Sequence, residues 1–179
     1  RLNFSRSSFE ERENRDSKRY GISAGFNTDY KGLITGSASA GFFTQDFDAD
    51  NREGTDRLDF SADLGLSVTP KLQLSFDAER EIEESTEFSQ NIIRTDLGFG
   101  YDYELQHDLF TAGFVNFQTS DIPGNAREDD TYTFGLSLRY LHGRHFTSRF
   151  SYQLNTRNSI LSANEFDKDT FVYSFSSQL

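Results

Sequence analysis

Residues Leu58–Val68 alternate without a break. Leu58, Phe60, Ala62, Leu64, Leu66 and Val68 are apolar, while Asp59, Ser61, Asp63, Gly65 and Ser67 are polar or glycine. A period of two sends successive side chains to opposite faces of an extended strand, whereas a helix needs apolar positions three and four apart. The pattern returns at Leu72, Leu74, Phe76 and Ala78, at Leu97, Phe99, Tyr101 and Tyr103, and at Tyr132, Phe134, Leu136, Leu138 and Tyr140. Alternating segments recur about ten times, near residues 2–9, 18–29, 32–45, 56–69, 71–82, 92–104, 109–119, 130–141, 145–157 and 168–179. Leu109 to Phe117 is the least clean of these, with apolar residues in both registers, which points to a bulge. The chain is expected to be all-β.

The links between these segments alternate in length. Short ones fall at residues 29–32, 69–71, 105–108 and 141–144, with the Gly, Pro, Asp and His of tight turns. Long polar ones fall at 10–17, 46–55, 83–91, 120–129 and 158–167. A hairpin unit therefore repeats roughly every 36 to 39 residues, its strand starts marked by Arg94-Thr95, Asp130-Thr131 and Asp169-Thr170. Strands of about 11 residues are long for a water-soluble sheet, whose strands run about 5–6. They fit a tilted membrane crossing, and short turns at one end with long loops at the other fit an outer-membrane barrel. The expectation is one domain over residues 1–179, an antiparallel up-and-down transmembrane β-barrel with about ten strands in this chain. A soluble barrel or sandwich, with the apolar face turned inward, is the competing architecture.

Composition narrows the choice. Hydrophobic residues make up 35% and mean hydropathy is -0.67, yet the chain holds 19 Phe and 8 Tyr. No apolar run approaches the roughly 20 residues of a spanning helix, but barrel strands hide their apolar residues in alternation. Absence of Cys removes disulfides and thiolate metal sites, and suits passage through an oxidising periplasm. A net charge of -11 opposes nucleic-acid binding. No signal peptide is visible, and the start at Leu2-Asn-Phe4-Ser reads as mid-strand, so a trimmed N-terminus is expected. Aromatics near the turns (Tyr30, Tyr101, Tyr103, Tyr140, Phe146) and near the loops (Phe43, Phe47, Phe117, Tyr132, Phe171) read as two interfacial girdles.

Two resemblances follow. The terminal stretch, with Phe171, Tyr173, Phe175, Ser177 and Leu179 in one register, resembles the C-terminal targeting strand of bacterial outer-membrane proteins, though those usually end in Phe. That implies the barrel-assembly machinery as a partner. The hairpin Asp130-Thr-Tyr-Thr-Phe-Gly-Leu-Ser-Leu-Arg-Tyr-Leu141, with Phe146-Thr-Ser-Arg-Phe-Ser-Tyr152 after a short turn, resembles the β-barrel porins encoded beside exopolysaccharide-export genes. Members of that family are generally longer, which leaves open a complete ten-stranded barrel or part of a wider one. The resemblance implies a Gram-negative outer-membrane location and a porin-like passive channel for small polar solutes or exported polysaccharide. Outer-membrane lipid and lipopolysaccharide, with a polysaccharide or protein partner, complete the expected contacts.

The candidate site is the polar register. Arg19, Arg94, Arg139 and Arg149, with Asp63, Asp77, Glu79, Asp96, Asp102 and Glu104, are expected to face the lumen. There they either line a pore and set its ion preference or pack into a network that plugs it. A plugged barrel would instead present acidic loops to a partner, polymer or lipopolysaccharide. Asp46, Asp48 and Asp50 have the 1, 3, 5 spacing of a weak cation-binding loop, but Gly at the sixth position and Glu at the twelfth are missing. No metal or cofactor is expected. His107, His142 and His145 all fall in or beside short turns, away from the long loops, and no Ser stands in a nucleophile-elbow context. The chain is therefore read as non-enzymatic.

Overall fold

The alternation is realised as a single meander. In the computed structural model ten strands follow one another in the order β1 to β10, each hydrogen-bonded antiparallel to its sequence neighbours. They are β1 Leu2–Ser7, β2 Ser17–Tyr30, β3 Ile34–Phe47, β4 Thr55–Thr69, β5 Leu72–Glu84, β6 Asn91–Gln106, β7 Leu109–Ile122, β8 Arg127–His142, β9 Phe146–Ser159 and β10 Phe166–Ser177. The structure describes the backbone of residues 2–7, 17–47, 55–84, 91–122 and 127–177, and side chains over 20–44, 58–81, 92–121, 128–161 and 163–177. The strands lie where alternation puts them and extend a few residues further into the loop side. Among the described residues β1 pairs only with β2 and β10 only with β9, so the sheet is not closed.

Residues 31–33, 70–71, 107–108 and 143–145 make the short connections, all at one end. Lys31 and Gly32 both take positive φ, 52° and 68°, and the Asp29 carboxylate accepts from the Gly32 N–H. Such a turn reverses the chain at low cost because glycine carries no Cβ to clash. Thr69 closes the next turn, its Oγ1 accepting from the backbone of Lys71 and Leu72. The opposite end holds the long connections, including a 3₁₀ turn at Ser162–Asn164.

Register keeps one chemistry on each face. Outward, Leu64 faces Phe76, Phe76 faces Phe99, Phe99 faces Val115, Val115 faces Phe134, and Phe134 faces Leu154. On β8 the outward run Tyr132–Tyr140 is bounded by Asp130 on the loop side, matching the roughly 9–11 residues of a tilted crossing. Outward positions become polar toward the loops at Thr119, Asp121, Asp130, Asn158 and Asp167. At the turn end Tyr140, His142, Phe146 and Phe175 form an aromatic cluster: Phe146 stacks on Phe175 at 5.6 Å and Tyr140 meets His142 edge-on at 4.6 Å. Tyr30, Tyr101, Tyr103, Tyr140, Phe146, Phe117, Tyr132 and Phe171 all hold outward register, as girdles require. Phe43 and Phe47 do not: they share the register of Gly41 and Asp59, on the polar face.

This sheet has no apolar core of its own. Among the described residues Ala78, at 6% exposure, is the buried hydrophobic side chain, and no large side chain is fully buried. Phe26, Leu58, Phe99, Phe134, Leu136 and Phe150 all stand at 40% or more. Shielding each from water is worth about 1.5–3 kcal/mol, far more than a 179-residue chain can forgo along a whole face. A soluble sandwich would bury this face against a second sheet. Here every strand belongs to one layer. The apolar face needs lipid.

Candidate lumen-lining site

Two hollows show which way the sheet curves. One, of about 320 Å³, is lined by Gln73, Asp102, Ala112, Ser137 and Arg149, which come from β5 through β9 in the same register. A flat sheet cannot gather those side chains around one volume. A second, of about 380 Å³, continues it past Ser75, Ser151 and Gln153. The polar face is therefore the concave one.

Each row of cross-strand partners on this face can be followed from turn to loop. Nearest the turns stand Glu104, Phe110, Arg139, Arg149 and Ser174. Next come Gln73, Asp102, Ala112, Ser137 and Ser151, then Ser75, Gly100, Phe114, Gly135 and Gln153. Above these are Asp63, Asp77, Gly98, Asn116, Thr133, Asn155 and Lys168, then Glu79, Asp96, Gln118, Thr131 and Arg157. Asp63, Asp77, Glu79, Arg94, Asp96, Asp102, Glu104, Arg139 and Arg149 all share this face. Arg19 has the same register, opposite Gln45, but its side chain lies outside the described residues. So do the side chain of Asp46 and the whole of Asp48 and Asp50. Among the described residues no group of three or more His, Cys, Asp or Glu is placed to hold a metal ion.

The charges are sorted rather than mixed. Asp63 sits directly opposite Asp77, and Glu79 opposite Asp96, on the β4–β6 wall. Arg139 sits directly opposite Arg149 on the β8–β9 wall. Ion pairs occur toward the ends: Lys71 Nζ is 3.4 Å from Glu104 at the turns, and Arg157 Nη2 donates to Asp129 Oδ2 at 2.7 Å near the loops. Asp129 is 5% exposed, and Ser159 Oγ donates to its second oxygen, so β8 and β9 are cross-braced at the loop end. Between the Arg pair and this brace the inward residues of β7, β8 and β9 are neutral. Thr133 Oγ1 donates to Asn155 Oδ1 at 2.9 Å, and Gln153 donates to the same oxygen at 3.3 Å.

Lumen-side aromatics are what the alternation obscured. The mixed register of Leu109 to Phe117 is not a bulge: β7 pairs with β8 without a shift, and the irregular steps lie at Ser67/Thr69 and Glu104/Gln106, next to the turns. Instead Phe110 and Phe114 join the concave face. Arg139 lies over the Phe110 ring at 4.6 Å. Phe114 has Gly100 and Gly135 as its partners on either side, and a Cβ on Gly135 would collide with its ring. An aromatic residue set between two glycines in a polar register is the signal that marks this seat.

With this geometry in place, comparison with known proteins is informative. The family described as Putative beta-barrel porin 2 matches residues 4–179. The chain belongs to that family. Among solved structures it is similar to OmpTdeltaL8, a loop L8 deletion mutant of the outer membrane protein OmpT of Vibrio cholerae. There the TM-score is 0.59 at 9% identity, over 92% of this chain and 55% of that one. It is also similar to the siderophore receptor PirA of Pseudomonas aeruginosa, with TM-score 0.58 and 15% identity, over 95% of this chain and 34% of that one. The porin-family chain thus spans about half and a third of these neighbours, which share its fold. No curated protein matches it. Family and fold place this porin in the bacterial outer membrane, with the apolar face toward lipid.

Proposed function

We propose that this porin-family chain is a passive, non-enzymatic channel wall whose concave face conducts small polar solutes, with exported polysaccharide as the larger cargo of the same chemistry. One observation carries the reading: the β7–β9 wall offers a track of hydroxyl and amide groups, Gln118, Thr131, Thr133, Ser137, Ser151, Gln153 and Asn155, with the Phe114 ring set among them. Hydroxyl-rich solutes exchange hydrogen bonds along such a track, and an aromatic face receives the apolar side of a sugar ring. The acidic β4–β6 wall opposite favours cations. The short turns face the periplasm, lipopolysaccharide surrounds the loop end, and the β10 strand engages the assembly machinery. The free edges of β1 and β10 are closed by further strand pairing in the membrane, because lipid leaves no unpaired backbone.

The test is the full chain, purified from outer membranes in detergent and inserted into planar bilayers and sugar-loaded liposomes. Steady cation-preferring steps, with liposome swelling in small neutral sugars, are the expected result. A folded, heat-modifiable barrel that neither conducts nor swells liposomes would sink the channel and favour a plugged barrel acting through its loops.

A further inference from the structure

We infer that Arg139 and Arg149 form an oxyanion-binding subsite at the turn end of the concave face, taking a carboxylate or phosphate carried by a hydroxylated solute. The inference rests on the channel reading above, since the anion arrives along the same face. The two residues are direct cross-strand partners and line the same hollow. Like charges set opposite each other across two strands repel, and folding gains nothing by the arrangement. Two other cations on this face are matched: Lys71 with Glu104, Arg157 with Asp129. Among the described residues neither Arg139 nor Arg149 has a carboxylate partner.

The surroundings keep the pair available. Glu104 is the nearest acid in the same row, but Phe110 stands between it and Arg139, and Lys71 already occupies it. Phe110 also holds the Arg139 guanidinium over its ring, which orders that planar fork without consuming its donors. Arg149 is exposed into the hollow. Each planar guanidinium fork offers paired N–H donors, the arrangement that carboxylates and phosphates accept best, and both arginines line the same hollow. One row further in, Ser137 and Ser151 are partners and supply hydroxyls, with the Asp102 carboxylate on the facing wall to accept from a solute hydroxyl. An anion bound here relieves the repulsion between the arginines, so binding and local stability rise together.

The experiment is equilibrium titration calorimetry on the folded full chain in detergent, with sodium glucuronate, inorganic phosphate and glucose as separate probes. Saturable binding of glucuronate or phosphate, with none of glucose, is expected. Glucuronate alone would assign the site to carboxylates, phosphate alone to phosphoryl groups. Arg149→Gln should weaken binding about tenfold, the scale of one charge-assisted hydrogen bond. Arg139→Lys with Arg149→Lys keeps the charge but not the fork, and should fall between. Heat-modifiable mobility verifies folding of each variant; should a double variant misfold, Arg149→Gln alone decides. Absence of anion binding, equal binding of glucose, or undiminished binding by Arg149→Gln overturns the subsite. Conductance of the same preparation reads the channel separately: an anion-binding chain that stays silent keeps the subsite and loses the channel.

Discussion

The β4–β6 wall and the β8–β9 wall are built on one rule and end in opposite chemistry. Both alternate apolar outward and polar inward, and both set like charges directly across a strand pair, Asp63 against Asp77 and Arg139 against Arg149. The acidic wall packs its inward residues less: Gly65 leaves space, only the Asp77 carboxylate covers Gly98, and Asp63, Asp77 and Glu79 are exposed. The other wall is furnished, with Phe114 seated over Gly135, Arg139 over Phe110, and the Asp129–Arg157 brace at the loops. What the contrast teaches is that inward positions of a membrane sheet are released from the demand for apolarity. They can therefore be specialised wall by wall while the outward face stays constant.

Erasing the contrast should have the largest effect. Arg139→Glu with Arg149→Glu makes both walls acidic, and cation preference, read as the reversal potential in a salt gradient, should rise severalfold. Unchanged selectivity would mean that ions do not pass this face.

The packing half of the comparison is tested by matched substitutions on the two walls. Gly135→Ala puts a Cβ into the Phe114 ring and should cost about 1–3 kcal/mol of unfolding free energy in denaturant titration. Gly65→Ala meets only Thr35 Oγ1 at 3.1 Å, the end of a small side chain, and should cost well under half as much. Equal costs would remove the claim that one wall is furnished and the other open.

Removing the brace comes next. Asp129→Ala leaves Arg157 and Ser159 without their shared acceptor, and about 1–2 kcal/mol of stability should be lost because the carboxylate is nearly buried. Hydrogen exchange should quicken at the loop ends of β8 and β9 first.

The smallest effect has the opposite sign. Asp63→Asn relieves the repulsion with Asp77 and should stabilise the sheet by roughly 0.2–1 kcal/mol. The gain should shrink as salt is added, since these carboxylates are exposed. A loss of stability would show that the acidic pair is held together by an ion the sheet recruits.

Much of this was written in the chain. Leu58–Val68 and Tyr132–Tyr140 fix strands, because alternation is a local property that each segment carries in its own residues. The unequal links at residues 70–71 and 48–54 fix hairpins and a polarity from turn end to loop end. From those alone came the meander and the shared face of Asp63, Asp102 and Arg139. Other features depend on neighbours distant in sequence. That Arg139 meets Arg149 rather than Asp102 is a matter of which strands are adjacent, as is the seating of Phe114 between Gly100 and Gly135. Phe43, Phe110 and Phe114 turn inward against the apolar-outward rule, and only register reveals it. Alternation also cannot say which face is concave. Period two is symmetric between the faces, and curvature belongs to the whole sheet, so only its three-dimensional course brings Gln73, Ser137 and Arg149 around one hollow.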